Sequence, residues 1–333
     1  MGGLAVWLAV VVGQAAPRAM IISRYGTAAG PDIEMQQLPA GFRQKVIDVH
    51  GEAGANWLSQ LAKTIAECER RWSLQVMLPF PCLSYNYVAP VLRADGKDAV
   101  LKLGVPHQGF TTELEALRHY DGAGIVKLLA GDVDLGAMLL ERLKPGTLLF
   151  SLADDEHATS IAAQVIRQMR RPPPTEHQFP TISEWASGLD KLRERYAGAT
   201  GPISAPLAEK AETLFSELIG SMGAPVLLHG DLHHDNILSA GREPWLAIDP
   251  KGVVGEAEYE VGAFVRNRLF LGPRPERLLA RRVDQFVEGL EFDRERILGW
   301  SLAQAVLSAW WSFEDSGHVW DEAIACAELL AEL

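Results

Sequence analysis

A chain of 333 residues is long enough for two lobes with cores of their own, and 48% hydrophobic with 22% charged residues is the balance of a globular enzyme, not of a disordered or fibrous chain. The 43 acidic residues outnumber the 31 basic ones, and the net charge of −12 argues against a nucleic-acid partner and suits attraction of a cationic small molecule. Cys68, Cys82 and Cys326, at unrelated spacings, exclude a disulfide framework or zinc ribbon and point to a reducing compartment, the cytoplasm.

Residues 4–12 form an apolar run like the core of a signal peptide, but no Lys or Arg precedes it and it is too short to span a bilayer. Residues 1–40 are therefore expected to be an extension outside the fold, with Met20 or Met35 as alternative starts and export as the other reading. Val46, Ala53, Trp57 and Leu61 recur at helical spacing and predict a helix and linker over 41–75. Residues 97–103 alternate as a strand should, and residues 111–118 read as the next helix, with Thr112 and Glu115 as a capping box if it starts there. Two strands, 125–129 and 137–141, are predicted around a turn at 131–134. Beyond them, apolar periodicity predicts helices through Ile161, Val165, Ile166 and Met169, through Ile182, Trp185, Leu189, Leu192 and Tyr196, and through Leu207, Ala211, Leu214 and Leu218. Arg171-Pro172-Pro173-Pro174 ends the first of these. Two more helices, 297–313 and 319–330, are expected around a loop at 314–317.

The chemistry concentrates between residues 226 and 255. Residues 226–228, 236–238 and 245–248 read as short strands, and 239–244 as the hairpin turn between the last two. The first strand runs into His229-Gly230-Asp231-Leu232-His233-His234-Asp235-Asn236, and the third into Asp249. Phosphoryl transfer to an alcohol needs the acceptor hydroxyl oriented and Mg2+ clamped across the phosphates. Asp231 can take the hydroxyl proton, while Asn236 and Asp249 are hard oxygen ligands of the kind Mg2+ prefers. A zinc site on His229 and His233 is the competing reading, but no Glu follows His229 and Gly230 argues against the helix that motif needs.

This segment, continuing through Ile248-Asp249-Pro250-Lys251-Gly252-Val253-Val254-Gly255, resembles the catalytic loop of the aminoglycoside phosphotransferase family, relatives of the protein kinases. It is most similar to the branch of streptomycin 6-kinases and hydroxyurea phosphotransferases. The resemblance implies an α+β, two-lobed protein-kinase-like fold: a small antiparallel-sheet N-lobe binding ATP over 41–142, leading helix included, and a larger, mainly helical catalytic and substrate lobe over 143–333. It implies an alcohol phosphotransferase using ATP and Mg2+. Val100-Leu101-Lys102 is similar to the strand that places a lysine on the α and β phosphates, and Glu113 matches the helix carboxylate that holds this lysine. Residues 141–146 look like the hinge beside the adenine, where Glu141 and Leu143 would act through main-chain groups.

Two departures from the pattern stand out. Residues 81–88 hold no glycine where a kinase covers the phosphates with a glycine-rich loop, so Ser84 and Asn86 are candidates to bond phosphate oxygens instead. Downstream, Glu256 and Glu260 replace the family's aspartates. The latter braces the catalytic loop, and an added methylene displaces the carboxylate by roughly a bond length, which puts bracing by Glu260, and turnover, in doubt. The resemblance implies an acidic acceptor pocket built partly from C-terminal helices, for which Glu256, Glu258, Glu314 and Asp315 are candidates, while Trp310, Trp311 and Trp320 read as core. The expected acceptor is an aminoglycoside such as streptomycin. Hydroxyurea, a small alcohol, amino alcohol or sugar, and a nucleotide-binding pseudoenzyme remain as alternatives. No membrane partner is expected, and oligomeric state is left open.

Overall fold

In the computed structural model, which describes residues 38–333, the first helix is broken by a glycine. Helix α1 (Ala40–Trp72) carries Gly51 at φ 58° and ψ −132°, outside the helical region. The break shifts the phase of the helix: Val46, Trp57 and Leu61 are buried as predicted, but Ala53 is exposed and Gly54 faces inward in its place. The predicted extension falls almost wholly outside the described residues.

The described residues fall into two units, one of residues 38–110 and 129–142, the other of Thr111–Leu128 and Leu143–Leu333. In the first, β1 (Leu74–Val76), β2 (Tyr87–Arg93), β3 (Asp98–Leu103), β4 (Leu128–Asp132) and β5 (Ala137–Glu141) form one sheet in the order β1-β2-β3-β5-β4. The β1–β2, β2–β3 and β3–β5 pairs run antiparallel. Strand alternation turns Tyr87, Ala89 and Val91, and Ala99, Leu101 and Leu103, to one face, where they share a core with Phe42, Leu58, Leu61 and Ile65 of α1. Arg71 of α1 and Asp132 of β4 close an ion pair. The strand predicted over 125–129 is split: Ile125 bridges Ala247 in parallel, with Val126 N donating to Ala247 O at 2.8 Å, and β4 begins only at Leu128.

Helix α2 (Gln108–Tyr120) starts three residues before the predicted helix, so Thr112 lies inside it and not at its start. Glu115 pairs with Arg118 on its exposed face instead.

The second unit is mainly helical. Helix α3 (Asp155–Met169) is capped by Asp154, whose carboxylate accepts from Glu156 N and His157 N. The predicted helix over 182–196 is interrupted at Ser187 into α4 (Ile182–Ala186), opened by a Thr181–Glu184 capping box, and α5 (Gly188–Arg195). After α6 (Ala205–Gly220) come β6 (Val226–Leu228), β7 (Ile237–Ser239), β8 (Trp245–Ala247) and β9 (Val253–Gly255), paired antiparallel as β6–β9 and β7–β8, the latter the predicted hairpin. Next are α7 (Gly262–Arg266), α8 (Pro275–Leu290), α9 (Arg294–Ser316) and α10 (Asp321–Glu332). Every residue of α9 from Ile297 to Trp311 is buried, making it the central helix of this unit. It runs on until Gly317 adopts φ 74°, so Glu314 and Asp315 lie in its last turn and not in the predicted loop.

Arg282 of α8 is 1% exposed yet charged, and its partners explain why. It binds Asp155 at 2.5 Å and donates to the carbonyls of Phe264, Val265 and Asn267, which the end of the short helix α7 leaves without helical partners. One guanidinium thus joins α3, α7 and α8. No helix among the described residues is long and apolar enough to cross a membrane.

Candidate active site

The chain leaves β6 through His229 and Gly230. Gly230 has φ 82°, and a Cβ there would come within 2.9 Å of both the Trp185 ring and Val253, so this turn admits no other residue without strain. Asp231 follows with its side chain about one-third exposed, while Leu232 is buried beneath it. A short 3₁₀ turn, His234–Asn236, precedes the predicted strand, which begins at Ile237, one residue later than expected. His234 anchors that turn by stacking on Phe264 at 4.0 Å between ring centres. The Asn236 amide donates from Nδ2 to the carbonyl of Asp231 at 2.9 Å, a bond in which its Oδ1 takes no part.

Asp249 is joined to this loop by three bonds. Ile248 N donates to Asn236 O at 2.9 Å, Lys251 N donates to His229 O at 2.7 Å, and His229 Nε2 donates to Ile248 O at 2.7 Å. Asp249 has φ 60°, a left-handed conformation that costs a non-glycine residue energy and that the flanking bonds hold in place. His229 Nδ1 accepts from Asp231 N at 3.2 Å, so both ring nitrogens are spoken for, and burial lowers its pKa to about 4. A neutral imidazole with both nitrogens bonded to the main chain is not a metal ligand, which removes the zinc reading. No cluster of three His, Cys, Asp or Glu able to hold a metal occurs among the described residues. Asn236 and Asp249 instead put hard-oxygen groups on the two segments that the Ile248 N–Asn236 O bond joins, a donor set that would suit an ion taking its remaining ligands from phosphate and water.

The bracing carboxylate corrects the sequence-based doubt. Glu260, buried in the short 3₁₀ turn Ala257–Val261, accepts from His229 N at 2.6 Å and from Gly230 N at 3.0 Å. Both bonds expected of an aspartate are made by the longer side chain. Burial raises the Glu260 pKa to about 7, outweighing the two N–H donors, which pull it down.

Of the acceptor-side candidates, Glu256 is in the wrong place. Its carboxylate is buried and receives Trp300 Nε1 at 2.6 Å, Arg296 Nε at 2.7 Å and Gly223 N at 3.2 Å, so it ties α9 to the chain before β6 and does not present itself to a substrate. Glu258 is half-buried, its pKa raised by burial and the nearby Glu256. Glu314 is half-buried with its pKa raised by burial, and Asp315 is exposed. Trp310 and Trp311 are core residues, as predicted, and Trp320 is half-buried under the Arg266 guanidinium.

In the small unit, Lys102 sits on β3 between Val88 and Met138 and is 3% exposed, a placement lysine rarely takes without a purpose. Ser84 is exposed and Asn86 half-buried in the bend before β2, and Glu141 closes β5 opposite Ala99. Glu113 is buried on α2, and Leu143 is half-buried in the second unit. Lys251, which carried no expectation from the sequence, places its Nζ 3.7 Å from Asp231 Oδ2; its spacing of two residues after Asp249 was the available signal.

The chain matches the family model described as aminoglycoside/hydroxyurea antibiotic resistance kinase over residues 71–316. It is 33% identical to a streptomycin 6-kinase of Streptomyces griseus over 311 residues, 89% of this chain and 97% of that protein. It is 32% identical to a hydroxyurea phosphotransferase of Kitasatospora aureofaciens over 307 residues, covering 88% of this chain and 86% of the relative. Among solved structures, a thermostable mutant of aminoglycoside phosphotransferase APH(4)-Ia in ternary complex with ADP and hygromycin B aligns with a TM-score of 0.57 at 14% identity, over 80% of this chain and 96% of that one. The small antiparallel sheet and the helical remainder are those of a protein-kinase-like fold. The chain is a phosphotransferase that belongs to the aminoglycoside/hydroxyurea antibiotic resistance kinase family.

Proposed function

We propose that the protein transfers the γ-phosphate of ATP to a hydroxyl of an aminoglycoside-type antibiotic, with streptomycin as the leading acceptor. The observation that carries this reading is the bonded frame of His229, Asn236 and Ile248, which fixes the Asp231 carboxylate, the Asn236 amide oxygen and the Asp249 carboxylate on adjoining segments. Asp231 orients the acceptor hydroxyl and takes its proton. The bond from the hydroxyl oxygen to the γ-phosphorus forms as the bond from that phosphorus to the β,γ-bridging oxygen breaks, and ADP leaves. Asn236 and Asp249 are the ligands for Mg2+, which neutralises phosphate charge when bound. Lys102 and Glu113 serve the nucleotide, Lys102 through the α and β phosphates. Ser84 and Asn86 bond phosphate oxygens, and the main chain at Glu141 and Leu143 reads the adenine.

Residues 41–142 are accordingly the ATP-binding part and 143–333 the catalytic and acceptor part. Glu258, Glu314 and Asp315, with the net charge of −12, favour a cationic acceptor. The free thiols and the need for ATP support a cytoplasmic site of action. Hydroxyurea is the second reading, favoured by an identity to the hydroxyurea phosphotransferase nearly equal to that of the streptomycin kinase. The test is incubation with Mg-ATP and streptomycin, other aminoglycosides, hydroxyurea and small amino alcohols, with product identified by mass. Phosphorylated streptomycin is the expected result; product from hydroxyurea alone would move the assignment to the second reading.

A further inference from the structure

The cation beside Asp231 has no role in the mechanism above. We propose that Lys251 is a catalytic cation that touches the phosphoryl group during its transfer, an inference that rests on the phosphotransfer reading.

Three observations carry it. First, the root of the side chain is fixed in the same frame as the base: Lys251 N donates to His229 O at 2.7 Å, and His229 in turn contacts the main chain of Asp231. Gly252 follows at φ 68°, where a Cβ would come within 3.1 Å of Phe179, Thr112 O and Ala116, so the backbone here has little room to move. Second, Lys251 Nζ stands 3.7 Å from Asp231 Oδ2, beyond hydrogen-bonding distance. At that separation the ammonium lies within reach of whatever group the Asp231 carboxylate binds, as a cation must if it is to hold the phosphoryl group that the hydroxyl attacks. Third, the Lys251 side chain is 23% and that of Asp231 32% exposed, so both are open to a ligand while held on a buried frame.

The chemistry calls for a cation there. The phosphoryl group in flight spreads its charge over three non-bridging oxygens, and a donor aimed at that charge acts on the transition state more than on bound nucleotide. Lys251 therefore affects turnover and leaves nucleotide affinity alone.

The experiment measures ADP binding with Mg2+, with and without aluminium fluoride, a mimic of the phosphoryl group that needs no identified acceptor. Wild-type protein, Lys251→Met and Lys251→Arg are compared, with thermal melts to confirm folding. Fluoride should tighten ADP binding to the wild type, and Lys251→Met should lose about 10²-fold of that gain while binding Mg-ADP as the wild type does. Lys251→Arg should keep most of it. With streptomycin as acceptor, Lys251→Met should lower kcat without raising KM for ATP. A Lys251→Met protein that keeps the full gain, or that loses Mg-ADP binding as well, overturns the proposal. A wild type that shows no gain with fluoride overturns the phosphotransfer reading beneath it.

Discussion

Replacing Glu260 by aspartate, the residue that the resemblance leads one to expect there, should nevertheless damage this protein. The carboxylate accepts from His229 N at 2.6 Å and Gly230 N at 3.0 Å, out of a turn whose backbone stands at glutamate distance. Removing one methylene withdraws it by about 1.5 Å, which stretches both contacts to roughly 4 Å and leaves two buried N–H groups unpaired. Each such loss costs about 1–3 kcal/mol, so Glu260→Asp should lose about 2–6 kcal/mol of a total stability on the order of 5–15 kcal/mol. The frame that aims Asp231 loosens with it, and a misplacement on the order of 1 Å costs about 10²-fold in kcat. Urea unfolding at pH 8, where Glu260 is ionised, reads the first quantity, and steady-state transfer to streptomycin the second. If Glu260→Asp matches the wild type in both, the spacing argument is wrong and the turn adapts freely to either residue.

Other outcomes follow from the same frame. Gly230→Ala should destabilise the protein by about 2–4 kcal/mol in thermal melts, since the new Cβ meets Trp185 and Val253 at 2.9 Å at a positive φ. Glu256→Gln should lower the melting temperature through Arg296 and Trp300 and leave KM for the acceptor unchanged; a raised KM with unchanged stability would return Glu256 to the acceptor pocket. Two buried groups should oppose each other in the pH dependence of stability. Glu260, raised from 4.5 to about 7, contributes stability fully present below pH 4.5 and lost as pH rises through 7. His229, lowered from 6.5 to about 4, contributes stability present above pH 6.5 and lost as pH falls through 4. Each is worth roughly 3 kcal/mol across its window. Glu260→Gln should therefore make stability rise more steeply with pH between 4.5 and 6.5, and His229→Asn should make it fall; equal slopes in both variants would refute the assignment.

The loop around Asp231 was legible as a candidate site because phosphoryl transfer dictates residue types in a short frame, and the β7–β8 hairpin was legible because its turn residues are local. Tertiary partners were not legible. Glu256 looked like a pocket acid because it follows Asp249 closely, but Arg296 and Trp300, forty and more residues later, claim its carboxylate. Glu260 was judged by side-chain length alone, whereas the position of its backbone compensates for the added methylene. Ala53 failed as a core residue because one glycine reset the helical phase, a conformational event that periodicity cannot register. Helix α8 went unmarked although its buried face, Leu279, Arg282, Val283 and Phe286, has helical spacing, because that face includes an arginine whose burial depends on Asp155 of α3. The burial of Lys102 on β3 was legible only through the strand's resemblance to a known one; on its own it reads as an ordinary surface lysine.

The most direct test of the account is to compare Asp231→Asn with the wild type in two measurements on the same preparation, Mg-ATP affinity by calorimetry and transfer to streptomycin by product mass. If Asp231 serves the hydroxyl and not the nucleotide, affinity stays within about twofold while turnover falls by about 10³-fold. Turnover that survives the substitution would contradict the central assignment, as would a loss of Mg-ATP binding in step with activity.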